Sequence, residues 1–261
     1  MPLPLLLVTN DDGVDSFFLH ALCAAHRPFF HVCVVAPAGE QSWVGRSFSR
    51  LRPVAVESRR LGCADEAWAV DGTPSDCVNI ALGSLLHGRR PAAVISGVNI
   101  GYNITMPLCL SSGTLAGALE GAAWRLPAAA FSLELPDSEY LHAQRNKGEI
   151  GGVGRESLLC AASRAVGFTR LAIAEAGALA EAALRVHNVN FPRVCTESTP
   201  VERTVPAVVR SGSLYREVPG NPGVYRFHWD KTGASTDFAD GTDAACIGRG
   251  HISHSIFEPA A

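Results

Sequence analysis

The chain has 261 residues, 47% of them hydrophobic and 18% charged, with 22 basic against 25 acidic side chains for a formal charge of −3. That balance excludes the basic footprint of a protein that binds a nucleic-acid polymer or an anionic membrane, and the length suits one α/β domain with extensions. No stretch reaches the ~20 apolar residues of a membrane span, Met1–Val8 lacks the basic start of a signal peptide, and the eight cysteines are scattered without a Cys-x-x-Cys pair, so a cytoplasmic protein with reduced thiols is expected.

In chain order, an apolar run from Leu3 to Thr9 predicts a strand, Phe17–His26 has helical spacing, and the Val-rich run from His31 to Ala36 predicts a second strand. Strands apolar on both faces and separated by a helix mark a parallel sheet. The alternation continues with a strand at Ala67–Val70, a helix at Ser75–Leu86, a strand at Ala92–Ser96, a helix near Gly113–Arg125 and a strand near Ala128–Leu133. The expected fold is a doubly wound, Rossmann-like, mostly parallel sheet. Beyond Pro136, the polar and Gly-rich Asp137–Gly154 reads as a loop or insertion, and Glu156–Val186 as an Ala-rich helix broken around Gly167. Glu217–Phe227 contains Pro-Gly-Asn-Pro-Gly and reads as a hairpin tip between two strands. We expect one domain over 1–261, with a core over about 1–190 and a C-terminal extension over about 191–261.

Polar clusters follow successive strands, where open parallel sheets bind ligands. After the first strand comes Asn10-Asp11-Asp12-Gly13. On a continuing strand the two carboxylates would point to opposite faces, but Gly13 permits a turn that brings them together, and paired hard oxygens suit Mg²⁺, Mn²⁺ or Ca²⁺. An Asp-Asp-Gly turn that merely caps the next helix is the structural alternative. After the second strand, Ala36–Gly45 offers the Ser42 hydroxyl and the Trp43 ring, unless it is only a solvated loop with Trp43 packed inward. After the strand ending at Ser96, Asn99 carries an amide oxygen suited to a cation and Asn103 a donor suited to phosphate. Ser112-Gly113-Thr114 opens a helix whose free amides would favour phosphate, or it is an ordinary Ser N-cap.

Several other chemistries lack their motifs. No Gly-x-x-x-x-Gly-Lys-Ser/Thr loop, no Gly-x-Gly-x-x-Gly after the first strand and no Gly-x-Ser-x-Gly elbow is present. His251 and His254 are spaced to point to opposite faces of a strand, which favours a surface or interface role over zinc.

The same clusters resemble the SurE family of divalent-metal-dependent phosphatases acting on nucleoside monophosphates. The resemblance rests on Asn10-Asp-Asp-Gly13, Val34-Val-Ala-Pro37 with Ser42, Asp71-Gly-Thr-Pro-Ser-Asp-Cys-Val78, Ser96-Gly-Val-Asn99 and Ser112-Gly-Thr114. It continues in Asn188-Val-Asn-Phe-Pro192, Thr242-Asp243 and Gly250-His-Ile-Ser253. It implies Asp11, Asp12, Ser42 and Asn99 as ligands of one divalent ion per subunit. It also implies a phosphate site at Asn103 and Ser112–Thr114, and a C-terminal extension that builds homodimers or homotetramers. The activity it implies is hydrolysis of nucleoside 5′- or 3′-monophosphates, with catalysis at Asn10, Asp11 and Asp12. A phosphatase for polyphosphate or another small metabolite, or a catalytically weakened binding or assembly protein, are the alternatives. The chain departs from the family at Val14–Phe18, at Trp43 in place of a Gly, and over Ile104–Ser111, which lacks the usual acidic pair and Tyr. Trp43 is a candidate wall for a base or ribose pocket.

Overall fold

The computed structural model describes residues 2–178, 184–210, 212–229 and 237–258. Nine strands form one sheet in the order β3-β4-β2-β1-β5-β6-β7-β11-β8. They are β1 (Leu5–Thr9), β2 (His31–Pro37), β3 (Val56–Arg59), β4 (Glu66–Val70), β5 (Ala93–Ile100), β6 (Ala128–Leu133), β7 (Val186–Phe191), β8 (Val201–Thr204) and β11 (Ile252–Phe257). The pairs from β4 across to β7 are parallel, as are β8 and β11, while β3 and β11 run antiparallel to β4 and β7. The sheet is thus mostly parallel and doubly wound. β9 (Tyr215–Glu217) and β10 (Tyr225–Phe227) form a separate hairpin where the Pro-Gly-Asn-Pro-Gly segment predicts one.

Alternation along β1 sorts the core into two layers. Leu6 and Val8 face α1 (Phe17–His26) and α6 (Gly152–Ala178), packing with Phe18, Leu22, Leu158, Ala162 and Phe168. Leu7 faces the other layer with Cys33, Val35, Val70, Cys77 and Val94. There α2 (Pro74–Ile80), started by a Thr73–Asp76 capping box, packs beside α4 (Gly113–Ala123). α6 is long and apolar enough to cross a membrane by length and composition, but its apolar side is spent on the sheet and on α1.

Several elements differ from the sequence expectation. Asp137–Gly154 is not simply a loop, because α5 (Asp137–Arg145) occupies its first half. Its acidic residues stand in the first turn and His142 and Arg145 in the last, matching the helix dipole. Ile104–Ser111 holds the short helix α3 (Met106–Ser111), with Pro107 in its first turn. The helix expected from Ser75 to Leu86 is α2 followed by a wider π turn over Ala81–Leu85. α6 runs unbroken through Gly167. It ends before Val186, which belongs to β7 rather than to a helix. Finally, α7 (Asp243–Gly248) leads into β11, where His254 is buried and stacked on His187, their ring nitrogens 3.0 Å apart. His254 is therefore an interior residue and not a surface one, and His251 is half-buried and bonded to Glu202.

Candidate metal and phosphate site

β1 lies between β2 and β5, so the chain leaves its C-terminal end at the point where the sheet order reverses, the usual ligand position in such sheets. Gly13 makes the turn there with φ +98°, a conformation open to glycine and strained for other residues. A Cβ at Gly13 would also stand 3.3 Å from the backbone of Gly39, so this turn and the loop after β2 lie against each other. Asn10 closes the turn by donating from Nδ2 to the Gly13 carbonyl at 2.9 Å.

The turn places both carboxylates at the mouth. Asp11 is buried and accepts from the Thr114 hydroxyl at 2.5 Å, while Asp12 accepts from the Ile100 backbone N–H at 3.1 Å. The end of β1 is thereby tied to the start of α4 and to the end of β5, next to Asn99. Burial pushes the Asp11 carboxyl up to about 6, against the pull of the Thr114 bond and with a smaller push from Glu40. Asp12 is raised well above the ordinary carboxylate value, first by burial and then by the charge of Asp11, with Glu40 adding to it. The charges acting on the pair are those of carboxylates.

The loop after β2 is held against this mouth at several points. Gln41 donates from its backbone to the Asp11 carbonyl at 2.7 Å, and Gly45 to the Ser111 carbonyl at 3.0 Å. Arg46 pairs with the buried Glu120 of α4, and Thr73 donates to the Ser47 carbonyl at 2.7 Å. This strap carries the half-buried Ser42 between its anchors at Gln41 and Gly45.

The remaining predicted residues divide by partner. Gly113 abuts the pair so closely that a Cβ there would lie 2.8 Å from Asp11 Cβ and 2.9 Å from the Gln41 carbonyl. Thr114 is spent on Asp11, and Ser112 caps α4 by accepting from Leu115 N–H at 3.0 Å. Asn99 donates to the Gly101 carbonyl at 2.9 Å, which leaves its amide oxygen for other partners. Asn103 sits in a buried amide network: its side chain donates to Ser132, its N–H to Asn190, and its carbonyl accepts from Asn188 and Asn190.

Two residues here were missed in the sequence. Glu40 adds a third negative charge, and Tyr140 of α5 lies over Gly101, where a Cβ would stand 3.1 Å from its ring. Burial, followed by the charges of Asp12, Glu40 and Asp11, pushes the Tyr140 phenol up to about 12, keeping it a donor at neutral pH. The adjacency of Glu40 to Ser42 was a legible signal; Tyr140 had none, because its place depends on α5.

The donor set fits a hard divalent cation. Two adjacent carboxylates are both disfavoured in charged form, and the buried Asn10 Oδ1 has no hydrogen-bond partner among the described residues. No group of three or more His, Cys, Asp or Glu side chains suited to a metal occurs among those residues, so Asp11 and Asp12 would need the neutral oxygens of Ser42 and Asn99 to complete a shell.

Comparison with known proteins finds relatives along most of the chain. The family model described as Survival protein SurE matches residues 6–212. The chain is 34% identical over 256 residues to the 5'-nucleotidase SurE of Methanospirillum hungatei JF-1, covering 96% of this chain and 84% of that one. It is 45% identical over 129 residues to the 5'-nucleotidase SurE of Myxococcus xanthus, covering 49% and 47% of the two chains. The crystal structure of the Sure protein from Aquifex aeolicus superposes with a TM-score of 0.72 at 26% identity, covering 98% of this chain and 93% of that one. By the extent of the family match and the full-length relatives, this chain belongs to the SurE family.

Proposed function

We propose that the protein is a divalent-metal-dependent phosphomonoesterase that hydrolyses nucleoside 5′- or 3′-monophosphates to nucleoside and phosphate. The observation that carries this reading is the Asp11–Asp12 pair at the sheet's switch point, with Asp11 buried and Asp12 half-buried, closed by Thr114 at the start of α4. The relatives' name, 5'-nucleotidase SurE, supports the nucleotidase assignment.

Asp11, Asp12, Ser42 and Asn99 would hold one divalent ion, Mg²⁺ or Mn²⁺ before Ca²⁺. When bound, such an ion supplies Lewis acidity toward a phosphoryl oxygen and lowers the pKa of water. The chain's own groups do the rest. Thr114 and the Ile100 N–H orient the two carboxylates, so little reorganisation is needed during reaction. Asn10 holds the turn that presents them. The amides at Gly113 and Thr114 start a helix whose positive end would face phosphate charge, and the Tyr140 ring over Gly101 would bring a neutral phenol to the same side. Asn103 ties the segment after β5 to β6 and β7. Action in the cytoplasm, with the eight cysteines reduced, is part of the same proposal.

Phosphate release from AMP and GMP by the purified protein tests this reading. Release with added Mn²⁺ or Mg²⁺ that EDTA abolishes is the expected result. No release from any phosphomonoester, together with no thermal shift on adding either ion, overturns it.

A further inference from the structure

Trp43 directly follows Ser42 and takes a left-handed backbone, φ +63°, which is rare for an aromatic residue and persists only where the surroundings impose it. Those surroundings are aromatic. The indole centroid lies 5.0 Å from the ring of Phe227 on β10, at 61°, and 5.2 Å from Trp229. Tyr215 on β9 stands edge-on to Phe227 at 5.9 Å. The cluster is not part of the core: Phe227 is 41%, Trp229 40% and Tyr215 56% exposed, and Trp43 is half-buried. The strap that carries the indole is pinned on one side to Asp11 and on the other to Ser111, so the aromatic faces begin at the rim of the carboxylate site.

We infer that Trp43, with Phe227 and Trp229 beside it, forms the subsite for the base of the nucleotide, an inference that rests on the phosphomonoesterase reading. A molecule held by its phosphate at the Asp11–Asp12 mouth projects its far end past the rim, and a flat, uncharged ring is what the cluster is suited to stack or meet edge-on. Every base has such a face, so recognition by stacking tolerates all four bases and favours purines through their larger area. The hairpin matters because Phe227 and Trp229 hold the Trp43 ring in its strained position. Trp43 is therefore a specificity residue, and Phe227 positions it.

The test compares AMP with ribose 5-phosphate, which carries the same phosphate and sugar without a base. For Trp43→Ala, the ratio of kcat/KM for AMP to that for ribose 5-phosphate is expected to fall about tenfold, mainly through KM. Phe227→Ala should lower the same ratio by a smaller factor, and Trp43→Phe should restore most of it. Adenosine, which has no phosphate, should quench tryptophan fluorescence of the native protein and quench that of Trp43→Leu clearly less. An unchanged ratio in Trp43→Ala, or equal quenching of native protein and Trp43→Leu, overturns the subsite. Failure of the native protein to hydrolyse either ester overturns the phosphatase reading instead, and the adenosine titration still decides the subsite.

Discussion

Asp11 carries an electrostatic cost that gives the site a clear pH signature. Its ordinary value of 3.8 is pushed up to about 6 by burial, and Asp12 moves in the same direction. The folded metal-free protein therefore binds these protons more tightly than the unfolded chain does. The resulting stability is fully present below about pH 4 and is lost as the pH rises through about 6. Asp11→Asn removes the charge and keeps an acceptor for Thr114, so at pH 7 in EDTA the variant should be more stable than the native protein by roughly 2–3 kcal/mol, with the gap closing by pH 4. Thermal melts across that range check this, and a variant less stable at pH 7 would show that burial of the charge is not the dominant cost. Turnover by Asp11→Asn should fall on the order of 10²–10³-fold. At the same scale, Tyr140→Phe keeps the ring over Gly101 and removes the donor. A kcat loss of about tenfold with little change in melting temperature is expected, since one hydrogen bond to developing charge is worth about 1.5–3 kcal/mol at most. An equal fall in kcat and stability would make Tyr140 a packing residue only.

At the scale of elements, the site depends on how closely α4 approaches the sheet. Gly113, Gly117 and Gly121 recur every four residues, on one face of the helix. A Cβ on Gly117 would meet Thr9 Cγ2 at 2.7 Å, and one on Gly121 would meet Val94 Cβ at 2.5 Å. This seam lets the first turn of α4 reach Asp11, and any added methyl must lift the helix. Gly117→Ala should cost about 1–3 kcal/mol of stability and lower activity although residue 117 is remote from the phosphate. Retained activity at full stability would mean the helix does not set the Thr114–Asp11 distance. Most of the elements that build this seam were legible in the sequence: β1, β2 and β6 are apolar runs between turns, and Ser112-Gly113-Thr114 announces a helix start. The elements that escaped did so for physical reasons. β3 reads Val-Glu-Ser-Arg and is an exposed edge strand with no apolar face to betray it. Residues 178–185, rich in Ala and Leu, lead into β7 (Val-His-Asn-Val-Asn-Phe) with no Gly or Pro between, so periodicity alone could not separate helix from strand. α5 is polar, held by dipole-matched ends and by the packing of Tyr140 and Ala143, and with it Tyr140 stayed out of sight. The carboxylate pair, by contrast, was readable because Gly13 marked the turn that unites it.

For the whole molecule, the sheet continues past the site through β7, β11 and β8, and this far side holds the site's back wall through Asn188 and Asn190. The hairpin of β9 and β10 is joined to none of those strands. Its Phe227 meets Trp43, but Tyr225, two residues earlier and so on the same strand face, is exposed, as are Tyr215 and Val224. A two-stranded hairpin is marginal alone in water, and aromatic and aliphatic side chains gathered on it form the kind of surface that a second copy covers. We expect the protein to be a homodimer, or a pair of dimers, through this extension, with an interface of about 1,200–2,000 Å². Light scattering should then report at least twice the chain mass of 27.6 kDa, and Tyr225→Lys combined with Val224→Asp should halve it. Because Phe227 lies on the same hairpin, the double variant should also weaken hydrolysis of AMP more than that of ribose 5-phosphate. A native protein that sediments as a single chain would remove assembly from the role of the extension and leave the hairpin with Trp43 alone.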